Sequence, residues 1–160
     1  MLIKAAELDS IKQYKVTFIK NFASLTRQYD FNLLSELMEE NDCLINTKYD
    51  HVSNFLQEFK TFFDFLSKLF KYKKDANDEV DLFFSLVSQV GNSHFDKEDV
   101  FIIGLKGTTI YRVFDKEKKD YTIEKGDMVF IPRGIKHKVI GLNPRIIASV
   151  GFYGKRIGDG

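Results

Sequence analysis

The spacing of hydrophobic residues changes once along the chain, near residue 78. Before that point apolar residues recur every three or four positions, and after it they alternate with polar residues or form short apolar runs. Because successive side chains of a strand point to opposite faces, the second pattern is typical of a β-sheet. We therefore expect a helical first half (1–78), a β core (79–153) and a short tail (154–160).

The first half is predicted to contain three helices and one strand. Short helices are expected at residues 5–13 and Phe31–Glu40, with a strand at Tyr14–Lys20, where β-branched and aromatic residues are frequent. The strongest helical pattern covers residues 51–71 and is rich in phenylalanine. Most of this face is expected to be core, but surplus apolar surface also marks interfaces, so a homodimer through 51–71 is an alternative.

Short strands separated by turn signals are predicted after residue 78. The turns include Gly91-Asn92, the charged run Asp115–Asp120, Pro132-Arg133-Gly134 and Asn143-Pro144. Regularly spaced short strands indicate an antiparallel sandwich or barrel, which the helical half is expected to brace within one domain. The predicted strands are Val80–Val90, Val100–Gly104, Thr108–Phe114, Tyr121–Ile123, Met128–Ile131, Lys138–Leu142 and Arg145–Phe152.

Length, charge and cysteine content exclude several classes of protein. The 160 residues are enough for one core, and the net charge of +1 gives no bulk attraction to nucleic acid or to an anionic membrane. The single cysteine, Cys43, cannot form an intramolecular disulfide, which favours a reducing compartment. There is no signal-peptide pattern and no apolar run of membrane-spanning length. We expect a cytoplasmic protein with neither a nucleic-acid nor a membrane partner.

Two of the three histidines lie where they favour a metal site. His94 and Asp96 are two residues apart in a predicted strand, so their side chains share one face. His137 follows a sharp turn through Pro132–Gly134, and from a neighbouring strand it would complete a set of two imidazoles and one carboxylate. Non-haem Fe(II) oxygenases prefer this ligand set because it leaves coordination positions open. The third histidine, His51, is expected to be a surface or capping residue.

The same segments resemble those of a known family. Gly126, Pro132, Gly134 and His137 fill the pattern G-x5-P-x-G-x2-H of the second cupin motif. The run from His94 to Gly107 resembles the JmjC-type cupins, in particular the branch that includes ribosomal oxygenases and an asparaginyl hydroxylase. The resemblance implies a mainly β fold, a cupin double-stranded β-helix (jelly roll) braced by α-helices. It also implies Fe(II)- and 2-oxoglutarate-dependent hydroxylation, with His94, Asp96 and His137 as the metal ligands.

One position departs from that branch. Its members carry Lys or Arg on the strand after the Lys-Gly turn to bind the distal carboxylate of 2-oxoglutarate, and the matching residue here is Thr109. Thr109 and Tyr111 share a strand face and could donate hydroxyl hydrogens to the cosubstrate instead. Arg145 could supply the missing charge from a later strand, although it could equally be a surface residue after Pro144. Ser93 could add one hydrogen bond.

Three functions are consistent with the sequence. The first is a 2-oxoglutarate-dependent oxygenase that acts on a protein, a peptide or a small molecule. The second, favoured by the uncharged Thr109, is a metal-binding cupin that does not use 2-oxoglutarate, such as a sugar-modifying enzyme, another dioxygenase or a ligand-binding module. The third, favoured by the Phe-rich segment 51–71, is a non-catalytic dimerisation protein built on a degenerate cupin.

Overall fold

The computed structural model describes residues 3–25, 29–41, 68 and 79–153. The helices in these ranges are α1 (Ala5–Lys12) and α2 (Phe31–Asn41). The strands are β1 (Thr17–Ile19), β2 (Glu79–Ser85), β3 (Gln89–Val90), β4 (Asp99–Lys106), β5 (Thr109–Phe114), β6 (Lys118–Ile123), β7 (Met128–Ile131), β8 (Lys136–Gly141) and β9 (Arg145–Phe152). The predicted helix at 51–71 and the dimer contact assigned to it lie outside the described residues, except for Lys68, which is helical and exposed.

The strands form two antiparallel sheets that face each other. One sheet has the order β1-β7-β4-β9-β2, and the other has the order β3-β8-β5-β6. Apolar side chains from both sheets pack together between them, for example Ile102 and Ile147 of the first sheet with Tyr111 and Val113 of the second. Two packed antiparallel sheets of this kind form the jelly roll of the cupins. The predicted fold class is confirmed.

The central strands of the five-stranded sheet, β7, β4 and β9, are buried on both faces. Its outer face packs against the helical segment, including Leu8, Ile11 and Phe31. Strand β9 is buried along its whole length, and β4 is buried at every position except the last. Burial on both faces explains why these two strands are continuous apolar runs rather than alternating ones. The described helices therefore brace the barrel, as predicted.

In the four-stranded sheet, strand β5 alternates between buried and partly exposed residues. In β5, Thr109, Tyr111 and Val113 are buried, whereas the intervening residues are partly exposed. Arg112 points outward and forms a bidentate ion pair with Asp120 on β6, with both N–O distances at 2.7 Å. Thr109 and Tyr111 thus share the inner face, as the period of two predicts.

Two strand predictions are wrong. The predicted strand Val80–Val90 is two strands in different sheets, because the chain leaves β2 after Ser85 and enters β3 at Gln89. The Ser85 hydroxyl stabilises this crossing, since it donates to the Val87 carbonyl oxygen over 3.0 Å. The predicted strand at His94–Asp96 is only an isolated bridge, in which His94 pairs with His137.

The other strand predictions hold, with shifts at the ends. β7 and β9 have the predicted bounds. The charged run Asp115–Asp120, expected as a turn, turns only over residues 115–117, because Lys118 already pairs with Phe114. Among the described residues, no helix is both long and apolar enough to cross a membrane.

Candidate metal centre

The side chains of His94, Asp96 and His137 converge on one point. Their ligand atoms all lie within 4.8 Å of one another. The Asp96 carboxylate lies between the two imidazoles, with Oδ1 at 3.5 Å from His94 Nε2 and Oδ2 at 3.3 Å from His137 Nε2. Two imidazole nitrogens and one carboxylate at this spacing fit a divalent transition metal such as Fe(II).

Main-chain hydrogen bonds position the three residues. The His94 N–H donates to the His137 carbonyl oxygen over 2.9 Å, and the His137 N–H donates back to the His94 carbonyl oxygen over 3.0 Å. The Gly134 N–H donates to the Asp96 carbonyl oxygen over 3.0 Å. Gly134 has a φ of 78°, a conformation that side chains disfavour, so the turn before β8 depends on glycine here.

Each imidazole is oriented by a carbonyl two residues before it. The Nδ1 of His94 lies 3.1 Å from the Asn92 carbonyl oxygen, and the Nδ1 of His137 lies 3.0 Å from that of Ile135. Because a carbonyl oxygen can only accept, each Nδ1 carries the hydrogen. In the neutral rings, Nε2 then presents its lone pair to the centre, which is the tautomer that binds a metal.

Burial and nearby negative charge shift the pKa of His137 in opposite directions. The side chain is 2% exposed, and this burial lowers its pKa. The hydrogen bonds with Asp96 and with the Ile135 carbonyl, together with the negative charges of Asp96 and Glu98, raise the pKa of His137 by more, so the net shift is upward. A metal ion at Nε2 would compete with this proton.

A cavity of about 330 Å³ lies between the two sheets and includes the three residues. This volume is within the range of small-molecule sites. The lining residues are Asp81, Phe83, Phe84, Ser85, Gln89, His94, Asp96, Glu98, Val100, Ile102, Tyr111, His137, Val139, Arg145, Ile147 and Ser149. The acidic residues Asp81 and Glu98 were not anticipated from the sequence, although Asp81 lies between the apolar residues Val80 and Leu82 of β2.

The structure brings only two of the four predicted cosubstrate residues to the cavity. Tyr111 and Arg145 line it, whereas Thr109 and Ser93 do not. Ser93 is exposed. Thr109 is 1% exposed, and its Oγ1 has no hydrogen-bond partner among the described residues. Contact between Thr109 and the cosubstrate stays a prediction, because this side chain is buried and does not belong to the cavity lining.

Arg145 is a buried cation rather than a surface residue. It is 5% exposed, and its Nη1 donates to the carbonyl oxygens of Val87, over 2.9 Å, and Asn143, over 3.3 Å. Among the described residues, no carboxylate lies within ion-pair distance of it. Burial lowers the pKa of Arg145, while the nearby Tyr111 raises it. A buried charge with only neutral partners is costly, so an anion bound in the cavity would be strongly stabilised there.

The Arg145 guanidinium lies directly against the main chain of Gly141. A Cβ at position 141 would collide with Cζ, Nη1 and Nε of Arg145. Gly141 pairs with Thr109 across β8 and β5, and Tyr111 pairs with Val139 between Gly141 and His137. The role of Gly141 was missed in the sequence, where a glycine at a strand end indicates only a turn.

Comparison with known proteins supports the fold. No protein-family model matches the chain, and no curated protein matches its sequence. The X-ray structure of E. coli ycfD matches at 20% identity and a TM-score of 0.66, over 97% of this chain and 54% of that chain. The structure of the ribosomal oxygenase YcfD from Escherichia coli with cobalt and 2-oxoglutarate matches at 21% identity and a TM-score of 0.62, over 92% and 51%. The chain thus spans about half the length of these structures and shares their fold.

Proposed function

We propose that the chain is a JmjC-type oxygenase that depends on Fe(II) and 2-oxoglutarate and hydroxylates its substrate. One observation carries the proposal: the metal-binding trio His94, Asp96 and His137 and the buried cation Arg145 line the same cavity. One small molecule could therefore chelate a metal held by the trio at one end and place a carboxylate beside Arg145 at the other. The likeness to a ribosomal oxygenase solved with cobalt and 2-oxoglutarate supports this assignment.

Each residue has a definite role in the proposal. His94, Asp96 and His137 hold Fe(II), which when bound supplies the activation of O2 coupled to the oxidative decarboxylation of 2-oxoglutarate. Arg145 pairs with the distal carboxylate of 2-oxoglutarate. Burial raises the pKa of Tyr111, and the charge of Asp96 adds to this shift, so the phenol stays protonated and can donate to the same carboxylate.

The apolar part of the lining strengthens these contacts. Val100, Ile102, Val139 and Ile147 contribute no hydrogen-bonding side chains to the cavity wall. An ion pair between Arg145 and a carboxylate is stronger when water is excluded around it.

A protein or peptide is favoured as the substrate over a small molecule. The exposed large hydrophobic residues of the described ranges all belong to segments that flank the cavity, and an exposed apolar surface of this kind marks a binding site for another chain. These residues are Phe83, Leu86, Val87, Val90, Phe95 and Leu142. We place the protein in the cytoplasm, where Fe(II) and 2-oxoglutarate are both present.

Anaerobic titration with Fe(II) and 2-oxoglutarate tests the function. We expect a weak visible charge-transfer band that needs both components, and slow conversion of 2-oxoglutarate to succinate in air. The variant Asp96→Ala, which removes the carboxylate ligand, should give neither signal. A parent protein with no band and no measurable affinity for 2-oxoglutarate would contradict the proposal.

The second candidate is a metal-binding cupin that does not use 2-oxoglutarate. It is favoured by Thr109, which stands at the position of the usual Lys or Arg and does not line the cavity. In that case Arg145 binds a different anion. The same titration separates the two functions, because the metal would bind while 2-oxoglutarate would change neither its spectrum nor its affinity.

A further inference from the structure

A partly buried ion pair joins the two segments that carry the metal-binding trio. Asp99, the first residue of β4, has a side chain that is 0% exposed, and Arg133 lies in the turn between β7 and β8. Asp99 Oδ1 accepts the main-chain N–H of Arg133 over 2.8 Å. Asp99 Oδ2 accepts Nη2 over 3.0 Å and Nε over 3.3 Å. One carboxylate therefore binds both the main chain and the side chain of Arg133.

Each residue of the ion pair lies within four positions of a predicted metal ligand in the sequence. Asp99 follows Asp96 by three residues, and Arg133 precedes His137 by four. The residue after Arg133, Gly134, donates its N–H to the Asp96 carbonyl oxygen over 3.0 Å. The ion pair, this hydrogen bond and the His94–His137 bridge thus connect the same two segments at successive points.

We propose that the Asp99–Arg133 ion pair positions the metal ligands and so sets the affinity of the site for its metal. The trio comes from two separate segments, so its geometry depends on what holds those segments together. A binding site needs its groups held within about 0.5 Å of their working geometry by supporting contacts, and the Asp99–Arg133 ion pair is such a contact between the two segments. The inference rests on the proposed metal site and adds Asp99 and Arg133 to it as positioning residues.

A second ion pair of the same construction provides a control. Asp127 is also 0% exposed and accepts both a main-chain N–H, from Asn21 over 3.0 Å, and a side-chain cation, Lys20 Nζ over 2.9 Å. It joins the end of β1 to the turn before β7, and within the described ranges neither Lys20 nor Asp127 forms a hydrogen bond or ion pair with residues 94–99 or 132–137. Loss of the Lys20 cation should therefore affect stability without affecting the metal ligands.

The test compares Arg133→Lys and Arg133→Met with Lys20→Met. Co(II) affinity and the Co(II) absorption spectrum are measured anaerobically far below the melting temperature, which circular dichroism gives for each variant. We expect both Arg133 variants to bind Co(II) about 10–100-fold more weakly, the usual cost of losing a group that orients metal ligands, with an altered spectrum. Lys20→Met should keep the parent spectrum and an affinity within about twofold, because its ion pair is remote from the site.

Three results would overturn the proposal. Arg133 variants that bind Co(II) as the parent does would show that the ion pair does not position the ligands. Equally weak Co(II) binding by Lys20→Met would show that Co(II) affinity depends only on the stability of the protein. A parent protein that binds no Co(II) would overturn the metal centre itself, and with it the proposed function. If Arg133→Met does not fold, Arg133→Lys, which keeps a cation beside Asp99, carries the comparison.

Discussion

The cavity between the sheets has two ends that are built in different ways. At the metal end, His94, Asp96 and His137 lie next to a main-chain bridge and a glycine turn. At the cation end, Arg145 lies against Gly141. On β8, His137 and Gly141 are four residues apart, which is roughly 13 Å along a strand. Tyr111 lies between the two ends, since its partner on β8 is Val139.

The two ends differ in how far apart in the sequence each functional side chain and the groups that orient it lie. The metal end needs two short segments, and each imidazole takes its orientation from a carbonyl two residues away. The cation end needs the turn after β2, the end of β8 and the start of β9, with Val87 and Arg145 separated by 58 positions. Local patterns therefore reveal the metal end, whereas only packing creates the cation end. Variants at each end should accordingly have separable effects.

The largest effect is expected for His137→Ala at the metal end. Loss of a direct ligand should weaken Co(II) or Fe(II) binding at least about 100-fold, more than the loss of a group that only orients a ligand, and should reduce 2-oxoglutarate turnover to background. Metal titration and succinate assays measure this. The control is Lys138→Ala, the next residue on β8, which lies on the outer face and should bind metal normally. Unchanged metal binding in His137→Ala would show that His137 is not a metal ligand.

The next effect is expected for Arg145→Gln at the cation end. A charge-assisted hydrogen bond contributes about 1.5–3 kcal/mol, so 2-oxoglutarate should bind about 10–100-fold more weakly to the metal-loaded protein. The affinity for metal alone should not change. Arg112→Gln is the matched control, because Arg112 points outward to Asp120. Equal losses of metal and 2-oxoglutarate affinity in Arg145→Gln would show that the two ends do not act separately.

A smaller effect is expected for Gly141→Ala, which leaves Arg145 in the chain but displaces its guanidinium. The added methyl group should weaken 2-oxoglutarate binding by about 5–10-fold, a fraction of what deletion of the charge costs, with metal affinity retained. Gly91→Ala serves as the control, since its Cβ would meet no atom closer than 3.5 Å. Normal 2-oxoglutarate affinity in Gly141→Ala would mean that the guanidinium position is not critical.

The smallest effect is expected for Thr109→Val, which removes a buried hydroxyl that has no partner among the described residues. Replacing such a group with an apolar one of the same shape should leave stability unchanged or raise it by about 1 kcal/mol. The affinity for 2-oxoglutarate should stay within about twofold of the parent. Chemical unfolding and cosubstrate titration measure the two quantities. A tenfold loss of affinity for 2-oxoglutarate would show that the Thr109 hydroxyl contributes to cosubstrate binding.

Much of the β core could be predicted from local patterns. Strands β7 and β9 have the predicted bounds because turn residues border their apolar runs on both sides. The prediction was wrong at Val80–Val90, where hydrophobic residues continue past Ser85 although the chain changes sheets there. Hydrophobicity shows that these residues are suited to a sheet, but it does not say which of two sheets they join.

The sequence by itself predicted the antiparallel β core and the three residues His94, Asp96 and His137, whose ligand atoms converge in the structure, and its resemblance to the cupins predicted the jelly roll. Alternation, turn residues and the scarcity of histidine are properties of short stretches, and they remain visible without any contacts. Only the tertiary structure decided that Arg145 is buried in the cavity and that Thr109 is not part of its wall. Both outcomes depend on neighbours from distant segments, among them Gly141, whose missing side chain leaves the space that the guanidinium occupies.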